Sequence, residues 1–339
     1  MAVITVLGAG AMGSALTRPL VEAGWQVRLW GSIYDDAILD AIDAGQVHPT
    51  LKETISPAVT TFRAGQLAQA VNQAQVVVIS VASGAVVSVL EQVGPYLGDV
   101  ESLWLTSKGF WQTETEVELL PEAIKQIAKT KGINLPPLVA IAGPVKASEC
   151  ASAKPTATVF ACRDYELAKR YAKTVTTPNY SVTPSQDEIG VALKNIYAIA
   201  LGIADGMSTA DEQPRDNLRA AIFVQAVAEM ASICHALGGD LQTAYGLAGM
   251  GDLQLTSTAG RSRLYGHAVG AGQNPRQALE QMQSQGLTIE GSPAALIAHQ
   301  LVQQLGLNAP LLEAVYQMLH GHVDDARALI CAVALGVDA

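Results

Sequence analysis

Val3-Ile-Thr-Val-Leu7 runs directly into Gly8-Ala-Gly10-Ala-Met-Gly13, and an amphipathic stretch over Ala11–Ala23 follows without a break. The aliphatic run suits a strand buried on both faces. Each glycine that follows has a separate task at this spacing. The first permits a tight turn, the second lets a pyrophosphate approach the backbone, and the third lets helix pack on strand. Phosphates then rest on a helix N-terminus, where unbonded N–H groups and the helix dipole favour anions. On the loop alone, a glycine turn without ligand and a flavin-binding version also stay open.

Working outward, further strands are expected at Gln26–Trp30, Val76–Val81, Ser102–Thr106, Leu138–Ala142 and Thr156–Ala161, with helical stretches such as Gly84–Val93 between them. Aliphatic strands separated by helices predict a parallel sheet covered on both faces. The pattern changes near Ser185, where Ser185-Gln-Asp-Glu188 has capping-box spacing. Later helices are expected over Asn217–Leu237, Pro275–Gln285 (Asn274 capping), Ser292–Leu305 (stopped by Gly306), Pro310–Leu319 and Val323–Leu335. The fold class read from this is α/β: an N-terminal Rossmann-like domain with a mostly parallel, doubly wound sheet over 1–186, then an all-α domain over 187–339.

Between the two lies Gly190-Val-Ala-Leu-Lys194-Asn195-Ile-Tyr-Ala-Ile-Ala-Leu-Gly-Ile-Ala-Asp205, a run apolar on every face with one lysine in its middle. A helix apolar all round is normally buried, and lysine is rarely buried without a partner. Such an amine has either paired with carboxylates or lost its proton, a state suited to acid–base work. A lysine that snorkels along its own stem is the other reading.

The formal net charge of −10 argues against nucleic acid, whose binders present basic surfaces. An anionic small molecule would need a local cluster of cations, which makes the few Lys and Arg residues informative. Cys150, Cys162, Cys234 and Cys331 lack C-x-x-C spacing, and His320-Gly-His322 has no third ligand nearby, so no metal is expected. The start of the chain lacks a basic n-region and no long uninterrupted apolar span is present, so a cytoplasmic protein without membrane insertion is expected. The second strand ends in Trp30-Gly31-Ser32 without the carboxylate that usually meets the ribose hydroxyls of NAD; Asp35 and Asp36 lie further on. Ser32 could bond a 2′-phosphate, so the reading leans towards NADP(H) with NAD(H) open.

These residues join others in a recognisable order. Gly8–Gly13, Ser107-Lys108-Gly109, Ala142-Gly143-Pro144 with Glu149, Leu193-Lys194-Asn195, Gly249-Met-Gly251-Asp252-Leu253, Thr256 with Arg261-Ser262-Arg263, and Ile289-Glu290-Gly291 together resemble the NAD(P)-dependent glycerol-3-phosphate dehydrogenases over nearly the whole chain. The resemblance implies two domains with the site in the cleft between them, reversible reduction of dihydroxyacetone phosphate to sn-glycerol 3-phosphate for glycerophospholipid synthesis, and a homodimer.

By position, it implies that Lys194 is the general acid/base, that Lys108 is a second lysine near the carbonyl and nicotinamide, and that Asp252 and Asn195 are the polar partners that orient Lys194 and the substrate hydroxyls. Arg261 would meet substrate phosphate and cofactor, flanked by Gly260 and Ser262, with Thr256 nearby. Gly143 would line the substrate, Ala147 and Glu290 the cofactor, and Ala11 and Met12 the pyrophosphate turn. Physics is consistent with this. Hydride transfer to a ketone puts negative charge on oxygen, which a cation or proton donor stabilises, and a guanidinium grips phosphate bidentately. Lys146 and Arg263 are further candidates for the cationic cluster.

Two departures concern the substrate side: Val145-Lys146 replaces the family's Ser/Asn-Phe, and Ser262 replaces an asparagine after the arginine. They leave open a related two-domain dehydrogenase acting on another small hydroxy acid or sugar phosphate.

Overall fold

The computed structural model describes residues 2–112, 117–188, 193–321, 323 and 325–337. The chain forms two compact units, Met1–Trp111 with Glu118–Gly190, and Gln112–Val117 with Val191–Ala339.

The strands in chain order are β1 (Val3–Leu7), β2 (Gln26–Trp30), β3 (Thr60–Phe62), β4 (Val76–Ile79), β5 (Ser102–Leu105), β6 (Phe110–Gln112), β7 (Val117–Leu119), β8 (Leu138–Ala142), β9 (Thr156–Ala161) and β10 (Tyr180–Ser185). β6 and β7 pair as a small ribbon, and the other eight form one sheet ordered β10-β9-β8-β5-β4-β1-β2-β3. Every pairing in it is parallel except β8 with β9. Side chains alternate between two cores, as the pleat requires. Ile4, Val6, Val76, Val78, Trp104 and Ile141 face one side, while Leu7, Val77, Ile79, Leu103 and Leu105 face the other. Strand order reverses between β1 and β4, the switch point at which such sheets bind ligands beyond their carboxyl ends.

β3 and β10 went unread in the sequence for physical reasons. β3 is three residues long at one edge, and β10, at the other, contains Pro184, which only an edge strand tolerates. The Ser185–Glu188 segment is not a capping box. Ser185 Oγ accepts the Asp187 N–H, whereas the Glu188 carboxylate turns away to Lys125 Nζ and to the Arg163 N–H at 3.0 Å.

In the second unit the apolar helix runs Lys194–Ala210, so Lys194 is its first residue and not its midpoint; Gly190–Ala192 lie outside the described residues. Ile196–Ile203 are fully buried because helices pack around this one on several sides: Asp216–Ala236, Asp252–Ala259, Arg261–Gly270, Gly291–Leu305 and Pro310–His320. Asn274 caps Pro275–Ser284 through the Arg276 and Gln277 N–H groups, and Gly306 ends Gly291–Leu305 with φ +63°. The last helix begins at Ala326, later than the pattern suggested, because Asp325 caps it. Helix Asp216–Ala236 is long and apolar enough to cross a membrane by length and composition, yet its buried residues include Glu229. His235, near the end of that helix, is exposed.

Candidate functional site

In the first unit the glycine turn lies at the end of β1. Gly8 has φ +115°, and a Cβ there would lie 2.4 Å from the Ser80 carbonyl at the end of β4. A Cβ on Gly13 would lie 2.0 Å from the Gly8 carbonyl, so helix Ala11–Glu22 leaves the turn closer than any other residue allows. At Gly10 an added Cβ would meet no atom within 4 Å. The turn is therefore closed against the protein at its first and third glycines and open at its second, where a pyrophosphate needs the space. A dinucleotide fits these residues. Ala11 and Met12 open the helix, and they and Ala147 pack against the same core.

At the end of β2, Ser32 is already engaged. Its N–H and hydroxyl each donate to Asp35 Oδ2 at 2.8 Å. The carboxylate that seemed absent from the end of this strand is thus supplied by a turn that folds Asp35 back. That corrects the reading of Ser32 as an unopposed phosphate donor.

Lys108 follows β5. Ser83 Oγ donates to its backbone carbonyl at 2.7 Å, and its own Nζ donates to the Gly143 carbonyl at 3.2 Å. Gly143 has φ +123°, and an added Cβ would press on Thr158 Cα at 3.2 Å. Two expected substrate residues from loops 35 positions apart are therefore in contact. Lys146 is half exposed and pairs with Glu149 at 3.2 Å; Val145 packs into the core.

In the second unit Lys194 Nζ lies 2.6 Å from Asp252 Oδ1. Asp252 is 1% exposed and begins a helix after an irregular turn at Leu247–Gly251; its side chain does not serve as a helix cap. The adjacent Asn195 donates through Nδ2 to Glu290 Oε2 at 3.0 Å, and Arg261 Nη2 donates to Glu290 Oε1 at 2.8 Å. Lys194 and Asp252 thus form one pair and Asn195, Glu290 and Arg261 one hydrogen-bonded group, the two brought together only by the adjacency of Lys194 and Asn195 in the chain. Gly260 closes the preceding helix, donating its N–H to the Thr256 carbonyl at 2.9 Å, and a Cβ there would strike that same oxygen.

Two expectations are revised here. Ser262 is buried at 3% exposure, and its hydroxyl accepts the Gly291 N–H at 3.3 Å, so it anchors the Glu290 turn. Arg263 is taken by Asp205 at 2.8 Å, and Arg219 meets the other oxygen of that carboxylate at 3.0 Å. Arg263 is therefore committed to an internal ion pair.

What sets these groups together is a helix crossing the motif reading did not register. Added Cβ atoms on Gly202 and Gly206 would fall 2.2 and 2.1 Å from the carbonyls of Arg263 and His267. Those on Gly266 and Gly270 would fall 2.0 and 2.1 Å from Ile199 and Ile203. Helices Lys194–Ala210 and Arg261–Gly270 therefore cross backbone to backbone and run in the same direction, with Lys194 and Arg261 each at the first position. Paired Gly-x-x-x-Gly spacings in both helices were the available signal. His48, whose ring meets the Ala9 carbonyl, was also missed, because nothing near it in sequence marks that contact.

Among the described residues no group of three or more His, Cys, Asp or Glu could hold a metal; His322 lies outside them.

The chain is similar to known proteins along most of its length. Residues 3–168 match the family model described as NAD-dependent glycerol-3-phosphate dehydrogenase N-terminus, and residues 187–329 match the corresponding C-terminus. The chain is 35% identical to the NADP(+)-dependent glycerol-3-phosphate dehydrogenase of Archaeoglobus fulgidus, over 94% of this chain and 95% of that protein. It is 34% identical to the glycerol-3-phosphate dehydrogenase [NAD(P)+] of Symbiobacterium thermophilum, over 94% and 89%. The crystal structure of glycerol-3-phosphate dehydrogenase from Coxiella burnetii is 28% identical, with a TM-score of 0.81 and 98% of each chain covered. With both family models matched in order on the two units that carry these residues, the chain belongs to the NAD-dependent glycerol-3-phosphate dehydrogenase family.

Proposed function

We propose that this protein interconverts dihydroxyacetone phosphate and sn-glycerol 3-phosphate with NADPH or NADH. The observation that carries the reading is the carboxylate-held ammonium of Lys194, whose neighbour in the chain, Asn195, shares Glu290 with the Arg261 guanidinium. The names of the relatives and the open second glycine of the dinucleotide turn support it.

When bound, the nicotinamide cofactor supplies or accepts the hydride. Reduction adds a hydride to C2 of the ketone and a proton to its oxygen. Lys194 delivers that proton as charge develops on the oxygen, and takes one from the hydroxyl in the reverse direction. Asp252 fixes the ammonium, Arg261 grips the phosphate, Asn195 orients substrate hydroxyls, and Lys108 adds positive charge from the loop after β5, its Nζ against the Gly143 carbonyl. Gly8, Gly10 and Gly13 seat the pyrophosphate, with Ala11, Met12, Ser32, Ala147 and Glu290 completing the cofactor contacts. The remaining parts of the reading are a homodimer in the cytoplasm that supplies glycerophospholipid synthesis.

The test is an initial-rate comparison of NADPH and NADH oxidation with dihydroxyacetone phosphate and a panel of unphosphorylated ketones. Oxidation that requires the phosphorylated substrate supports the proposal; preference for an unphosphorylated ketone rejects it.

A further inference from the structure

We infer that His48 is a positioning residue for the dinucleotide turn, holding one peptide of the glycine loop in the orientation that an incoming phosphate needs. The inference rests on the reading that a nicotinamide dinucleotide binds there.

His48 is fully buried, 39 residues from the turn it touches. Its Nδ1 accepts two backbone N–H groups, from Thr50 at 3.1 Å and from Leu51 at 3.2 Å. A ring nitrogen that accepts cannot carry a proton, so the proton sits on Nε2. That nitrogen lies 3.2 Å from the Ala9 carbonyl and donates to it. Ser14 Oγ donates to the same oxygen at 2.9 Å. Ala9, Ser14 and His48 all have zero exposure, so both bonds form away from water.

Ala9 stands between the two glycines that shape the turn. In a trans peptide the carbonyl and the following N–H point to opposite sides, and no cis bond occurs among the described residues. Pinning the Ala9 oxygen inward therefore turns the Gly10 N–H away from it, on a residue where an added Cβ meets nothing within 4 Å. Without its anchors this peptide could rotate, because the flanking glycines offer little steric resistance. The anchored turn instead carries its ordering cost before the ligand arrives, which is how preorganisation raises affinity.

The segment bearing His48 is built to hold it still. Val47 bridges Thr54, the His48 N–H donates to the Glu53 carbonyl at 2.9 Å, and Lys52 takes φ +61° to close the loop. Leu51 is buried in the sheet core, and Glu53 Oε1 accepts from Ser152 Oγ at 2.7 Å. This strap links the glycine turn to the region around helix Ala147–Ala151.

The test uses the full-length protein without substrate, titrating NADH and NADPH and following nicotinamide fluorescence. His48→Asn keeps an acceptor for the Thr50 and Leu51 N–H groups but is too short to reach Ala9. It should weaken binding of both cofactors about five- to thirty-fold, the range for a lost buried hydrogen bond. Turnover at saturating cofactor should stay within about two-fold of wild type, since the residue does not touch the reacting atoms. His48→Gln restores a donor near the Nε2 position and should recover part of the loss. Failure of the wild-type protein to bind either cofactor would reject the dinucleotide reading itself. Binding by wild type that is unchanged in a stably folded His48→Asn overturns the role of His48. Should His48→Asn unfold, Ser14→Ala decides: weaker binding upholds control through the Ala9 carbonyl, and unchanged binding overturns it.

Discussion

Lys194 and Asp252 form an ion pair of 2.6 Å in which the carboxylate is 2% exposed and the ammonium 20%. The two are 58 residues apart, on the first positions of two helices. Pairing settles how an amine sits at the end of an otherwise apolar helix. Lys194→Met should lower turnover by about a hundred- to ten-thousand-fold, the usual contribution of a positioned proton donor. Cofactor affinity, measured by fluorescence titration, should remain near wild type. Turnover that survives in this variant would remove Lys194 from the proton transfer.

Glu290 takes both Arg261 and Asn195, so an arriving phosphate must share that guanidinium with a carboxylate already in place. Arg261→Gln should raise KM for the phosphorylated substrate by about ten- to a hundred-fold, the scale of a lost charge-assisted hydrogen bond. Glu290→Gln should instead tighten inorganic phosphate binding by about two- to five-fold, a modest change because the pair is half exposed and screened. Calorimetry with phosphate alone checks both directions.

Asp35 sets a carboxylate on the Ser32 N–H and hydroxyl at the end of β2. Asp35→Asn removes a negative charge from the neighbourhood expected to receive a ribose 2′-position. The ratio of kcat/KM for NADPH over NADH should rise about three- to ten-fold, most strongly at low ionic strength. An unchanged ratio would place Asp35 away from the cofactor.

The glycine crossing predicts a stability effect at a distance from the reaction. Gly266→Ala would push a Cβ to 2.0 Å from the Ile199 carbonyl. Separating these helices should cost about 1–3 kcal/mol, typical of overpacking, and should lower both the thermal midpoint and kcat. Ala on Gly24, where an added Cβ meets no neighbour within 4 Å, serves as the uncrowded comparison, although its φ of +87° carries strain of its own.

Glu229 predicts a pH dependence. It is buried, and desolvation raises its carboxyl above the ordinary 4.5, although the Leu311 and Leu312 N–H groups and the Tyr197 and Gln225 side chains all donate to it. A folded-state value above the unfolded one means the folded protein binds the extra proton. Glu229 therefore favours folding most at low pH, and that contribution falls as pH rises through the window just above 4.5. The thermal midpoint of wild type relative to Glu229→Gln should drop across that window; a flat difference would show that the carboxyl titrates alike in both states.

The sequence by itself determined the central strands of the sheet and the glycine turn that follows the first of them. Strands such as Val3–Leu7 and Leu138–Ala142 are buried on both faces and read as unbroken aliphatic runs, and the spacing of Gly8, Gly10 and Gly13 marks a tight turn into a helix. Tertiary structure decided which polar residues are available. Asp205 claiming Arg263, Ser262 turning inward to Gly291, and His48 reaching Ala9 are contacts between groups separated in the chain, and no periodicity records them. The physical reason is that a side chain's periodicity reports only whether its face is buried, whereas its hydrogen-bond partner is whatever the packing of the elements brings within 3 Å or so.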